Sequence, residues 1–212
     1  MTVPTDTQKD AKLKMIDYFS LLGPWFSSVS LSEEAFEKLS AAHPEVILEQ
    51  EPTGKIKFMS PVHLDSGSYE NEINTDLTIY CRKTKSGNSF SPSTGFRLPD
   101  GSLRSPDAAF VSKGQLDQLP AAAHKQFARL VPEFIVEIRS DTDQLEQLKK
   151  KMRESWIENG VLLAWLIDPQ EQNTYIYRKD GSISVLEGFE RKLSGEDVLP
   201  AFEFDLRLLL DE

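Results

Sequence analysis

The apolar positions of this chain change period several times, and each change marks an element. Residues 10–22 carry apolar side chains at helical spacing and stop at Gly23-Pro24, so residues 1–30 are expected to form a helical lead-in. Ser32, followed by Glu33 and Glu34, is an N-cap with acids in the first turn, and it opens a short helix to about Ala41. Apolar runs at 46–50 and 55–59 flank Pro52-Thr53-Gly54 and predict a β-hairpin. Helical spacing returns over 66–82, with Ile73, Leu77 and the pair Ile79-Tyr80 on its apolar side. Residues 83–101 are rich in Ser, Gly and Pro; a short strand is expected at 95–98, before the turn Pro99-Asp100-Gly101.

Two strand-length apolar runs follow, at 105–111 and 134–139, separated by a loop or short helix. A long helix is predicted over 142–160, with Leu145, Leu148, Met152 and Trp156 as its buried stripe and Gly160 as its stop. The unbroken apolar run at 162–167 predicts a strand covered on both faces. Runs at 174–177 and 183–186 form a hairpin around Lys179-Asp180-Gly181, and residues 193–210 give a connection and a last short helix or strand. A strand, a crossover helix and an apolar strand make a βαβ unit. The fold class is therefore α/β, hard to separate from α+β: a sheet with helices and peripheral β-hairpins. No linker composition divides residues 31–212, which read as one domain.

Composition narrows the function. None of the apolar runs reaches the roughly 20 residues of a membrane span, and the polar N-terminus lacks a signal-peptide core. Cys81 is the single cysteine, so no intrachain disulfide forms and a cytoplasmic protein is expected. A net charge of −10 argues against non-specific coating of nucleic acid. Locally basic clusters remain around Arg82, Lys149 to Arg153 and Arg191, and any of them can be a solvated face. The three histidines are too scattered for a histidine metal site or a Ser-His-Asp triad, and no Gly-rich phosphate loop is present.

Chemistry is concentrated in two acids set in apolar runs. Asp107 lies in Ser-Pro-Asp-Ala-Ala-Phe-Val and Glu137 in Phe-Ile-Val-Glu-Ile-Arg. A carboxylate in such a run is costly to bury unless a cation answers it. Side chains alternate along a strand, so Glu137 and Arg139 point the same way. If the two strands are neighbours, Asp107 and Glu137 come within reach of one divalent cation. A structural ion pair of Glu137 with Arg139 or Arg104 would produce the same pattern.

At these residues the chain resembles the restriction-endonuclease-like superfamily, whose signature is Pro-Asp … (Asp/Glu)-x-Lys, and more closely its bacterial Uma-type family of restriction endonucleases. The supporting stretches are STGFRLPDGSLRSPDAAFV from Ser93, EFIVEIRS from Glu133, KMRESWIENGVLLAWLIDP from Lys151 and LSGEDVLPAFEFDL from Leu193. The resemblance covers nearly everything from about residue 30 onward. It implies a mixed core sheet of four or five strands flanked by helices. It also implies Mg2+ or Mn2+ held by Asp107 and Glu137, with DNA as substrate and a homodimer left open. It further implies an acid from the preceding helix: Glu72 matches best, Glu70 is the adjacent competitor and Glu49 a distant one.

Arg139 departs from the family pattern by standing at the lysine position. Arginine stays charged at working pH and clamps phosphate rather than acting as a base. In Uma-type proteins a lysine on the following helix takes that place, and Lys151 matches it, with Gln147 a weaker candidate. The expected activity is metal-dependent hydrolysis of DNA phosphodiester bonds. Its rival is a catalytically silent binding or assembly protein on the same fold, which the charge and Arg139 both favour.

Overall fold

The structure, a computed structural model, describes residues 30–210. The expected helical lead-in thus lies outside the described residues but for Ser30. The packing falls into two compact units, one ending at Met59 and the other beginning at Ser60. No shift of composition marks that boundary.

Among the described residues of the first unit, α1 (Glu33–Ala42) comes first; the Ser32 hydroxyl accepts the N–H of Ala35 as the expected N-cap and Phe36 is buried. Its hairpin pairs β1 (Ile47–Gln50) with β2 (Ile56–Met59), Ile47 opposite Met59 and Gln50 opposite Ile56. Gly54 turns the hairpin at φ +83°, and a Cβ there would stand 2.6 Å from the Leu31 carbonyl oxygen, so only glycine fits.

The second unit starts with α2 (Leu64–Thr84), which buries Ile73, Leu77 and Cys81 at a spacing of four, one residue per turn. Strands β3 (Gly87–Phe90), β4 (Phe96–Arg97), β5 (Leu103–Arg104) and β6 (Ala108–Ser112) follow, then the single turn α3 (Lys113–Leu116). β7 (Phe134–Ile138), α4 (Leu145–Lys151) and β8 (Leu163–Asp168) form the βαβ unit, with β7 and β8 parallel. The hairpin of β9 (Asn173–Arg178) and β10 (Ile183–Glu187) lies where the sequence puts it. β11 (Lys192–Ser194), β12 (Glu203–Asp205) and a 3-10 turn at Leu206–Leu209 complete the tail.

The central sheet has the order β10-β9-β8-β7-β6-β3, antiparallel except between β7 and β8. It is a mixed sheet of six strands rather than four or five, because β3 and β10 extend its two edges. Alternation sorts its side chains into two cores. Phe110, Phe134, Val136, Leu163 and Trp165 join Ile73 and Leu77 of α2 on one face. Val111, Ile135, Ala164 and Leu166 join Met152 and Trp156 on the other. Both faces are covered by helix, which is why β6, β7 and β8 are written as unbroken apolar runs. Among the described residues no helix is long and apolar enough to cross a membrane.

The helix expected over 142–160 differs in kind as well as length. After Lys151 it widens into a π-helical turn, Met152–Ile157, whose bonds from Glu158 to Arg153 and from Val161 to Trp156 span five residues. A helical apolar stripe does not reveal such a turn, because Met152 and Trp156, four residues apart, read as one buried stripe and are both buried here.

Candidate active site

Asp107 stands one residue before β6 and Glu137 one residue before the end of β7. Ala108 pairs with Val136, so the next step of the antiparallel register brings the two acids side by side. The Ile138 N–H donates to Asp107 Oδ2 at 2.6 Å and ties the strand ends together. Beside them runs α2. The Asn74 side-chain amide donates to the backbone oxygens of Asp107 at 2.8 Å and Glu70 at 2.9 Å, fastening the helix to the start of β6.

Glu137 shares a face with Ile135, directed at α4, and is answered from there. Lys151 Nζ lies 2.8 Å from its Oε1 and donates to its Oε2 at 3.0 Å; the side chains are 14% and 7% exposed. The Trp156 indole N–H donates to Glu137 Oε1 at 2.8 Å. The lysine triplet is therefore not one solvated face. Lys149 pairs with Glu146 and lies 4.5 Å over the Tyr175 ring, and Lys150 makes a surface pair with Glu154, whereas Lys151 turns inward.

The electrostatics single out Asp107. Burial of its carboxyl, then the charge of Glu137 and more weakly that of Glu70, hold its pKa well above the usual carboxylate range; the Ile138 N–H and the Lys151 charge pull the other way. Burial also raises the Glu70 carboxyl. Of the helix acids, Glu70 is the one whose charge acts on Asp107. Glu72 lies two residues on, about 200° around an α-helix from Glu70. Glu49 sits on β1 of the other unit.

Arg139 shares the face of Glu137 but is committed elsewhere. Its guanidinium meets Asp168 at 2.8 Å, with Asp168 fully buried, and its Nε donates to the Asp143 backbone oxygen at 3.3 Å. The cation on Glu137 is Lys151, in place of Arg139 or Arg104. Gln147 bonds to Gln144 on the exposed side of α4. Three participants escaped sequence reasoning: Asn74, Asp168 and Trp156 in its polar role. Only Trp156 carried a signal, since a buried indole N–H requires an acceptor.

Among the described residues no three Asp, Glu, His or Cys side chains form a ready-made metal-ligand cluster. Two adjacent carboxylates nonetheless match the needs of Mg2+, which takes one or two protein carboxylates and completes its octahedron with water and substrate. The Asp107 carboxyl is raised first by burial and then by the Glu137 charge, and it is this second contribution that such a cation would relieve. The donors are hard oxygens throughout, so the site fits a hard divalent ion.

Comparison with known proteins agrees with this architecture. A crystal structure described as "a putative nuclease belonging to DUF820 from Anabaena variabilis ATCC 29413" superposes with a TM-score of 0.64 at 16% identity, over 76% of this chain and 88% of that one. That likeness shows the fold. The cryo-EM structure of a DrdV-DNA complex aligns at a TM-score of 0.36 and 10% identity, over 54% of this chain and 9% of that one, too remote to bear on fold or partner. No curated protein matches the chain. A family model described as "Putative restriction endonuclease" matches residues 33–208, and the chain belongs to that family, Uma2.

Proposed function

We propose that this chain is a metal-dependent nuclease that hydrolyses phosphodiester bonds in DNA. The observation that carries the reading is the meeting of Asp107 and Glu137 at adjacent strand ends, with Lys151 bonded to one of them. Membership of the Uma2 family supports the same reaction class. Asp107 and Glu137 would hold Mg2+ or Mn2+, and Glu70 is the third acid. A divalent ion bound there supplies Lewis-acid neutralisation of the phosphate charge.

The remaining roles follow from the residues themselves. Glu137 holds Lys151 at the acid pair, where its ammonium can meet negative charge developing on the phosphate. Glu70, made more basic by burial, accepts a proton from the attacking water. Asn74 fixes the helix that carries Glu70. Arg139 anchors the end of β7 to β8 through Asp168 and needs no contact with substrate.

One observation favours the rival, a catalytically silent binding protein. Three acids against one lysine leave the site negative in the absence of a divalent ion, in a chain of net charge −10. A single assay separates the readings: incubation of supercoiled plasmid and single-stranded DNA with wild type, Asp107→Asn and Glu137→Gln, with Mg2+, Mn2+ or EDTA. The proposal expects cleavage by wild type only, and only with metal. Equal cleavage by Asp107→Asn, or none by wild type on any DNA form, overturns it.

A further inference from the structure

Lys151 and Trp156 are five residues apart, yet both bond to Glu137. In an α-helix that separation places side chains about 140° apart, so the two could not share one small target. The π-turn changes this. Its hydrogen bonds span five residues, which brings residues five apart to nearly the same side. The ammonium then lies 5.9 Å from the indole ring centroid, with both donors on one carboxylate.

We propose that Trp156 is a positioning residue of the acid site and that the π-turn exists to deliver it. The inference deepens the nuclease reading and rests on it for its metal-binding part. A carboxylate offers about four acceptor positions. One contact from Trp156 and two from Lys151 occupy three of them, which fixes the plane of the Glu137 carboxylate and leaves the remainder for a cation shared with Asp107. As simple core filling, Trp156 would be served by any buried carbonyl as acceptor. Instead its N–H is matched to a charged oxygen of the acid pair, where a donor to a ligating carboxylate tunes both orientation and affinity.

Two readouts test this on the full chain. The first uses indole 1H–15N resonances in wild type, with the Trp156 signal assigned by its loss in Trp156→Phe. Glu137→Gln should shift that signal without any metal, and Mg2+ titration of wild type should shift it again. The second is the Mn2+ dissociation constant from calorimetry. Trp156→Phe keeps the aromatic packing and removes the N–H, so it should weaken Mn2+ about 10–100-fold. Trp156→His, which restores a donor, should recover part of the loss.

An indole signal indifferent to Glu137→Gln overturns the proposal; where Trp156→Phe fails to fold, the signal is assigned from triple-resonance spectra of wild type and the same outcome decides. So does wild-type Mn2+ affinity in a folded Trp156→Phe. If wild type binds no Mn2+ at all, the nuclease reading fails, and the Glu137→Gln shift alone decides whether Trp156 positions this carboxylate.

Discussion

At the scale of single residues, the site turns on an acid held in an unfavourable place. The folded state binds the Asp107 proton more tightly than the unfolded chain does. In metal-free protein its contribution therefore favours folding at low pH and is lost as pH rises from about 4 through the raised folded pKa. Each pH unit by which the fold raises that carboxyl corresponds to about 1.4 kcal/mol. Asp107→Asn keeps an acceptor for the Ile138 N–H and removes the charge. It should melt higher than wild type at pH 7.5 in EDTA, flatten the fall of stability with pH and abolish cleavage; a lower melting temperature with cleavage retained would contradict the account. Glu70→Gln should lower cleavage by at least tenfold and Glu72→Gln by less than twofold, in parallel plasmid assays. Asp107 and Glu137 stood out because an acid in an apolar run requires an answering charge. Lys151 was reached only through the family resemblance, whereas local spacing pointed to Arg139 or Arg104. The choice between Glu70 and Glu72 was not legible, since it depends on which face of α2 Asn74 fastens to β6.

At the scale of elements, the β7-α4-β8 unit was legible from its periods: an apolar run, a helical stripe and a second apolar run. The π-turn within it was not, because it conserves the buried stripe while changing which polar atoms converge. Arg139 shows the same limit. Its position matches the signature lysine, yet its guanidinium bonds to Asp168, an acid at the end of β8 that no local spacing connects to it. Removing one partner of a buried pair leaves the other charge uncompensated, so Arg139→Ala should cost about 3–5 kcal/mol in urea unfolding. The folded fraction should keep its Mn2+ affinity in calorimetry. Loss of metal binding at unchanged stability would return Arg139 to the site.

At the scale of the whole molecule, the mixed sheet covered on both faces followed from unbroken apolar strands, whereas the division at Met59 has no counterpart in composition. Under the proposed function the charge of −10 works against DNA binding, and a divalent cation at the acid site would offset that repulsion only locally. Mn2+ at a hundred times its dissociation constant should stabilise wild type by about 2.7 kcal/mol, seen as a higher melting temperature, and should leave Asp107→Asn unmoved. The central claim is most directly tested by an anomalous difference map from a crystal soaked in Mn2+. The account predicts a peak about 2.0–2.6 Å from oxygens of both Asp107 and Glu137. A map with no peak there, and Lys151 still seated on Glu137, would contradict it.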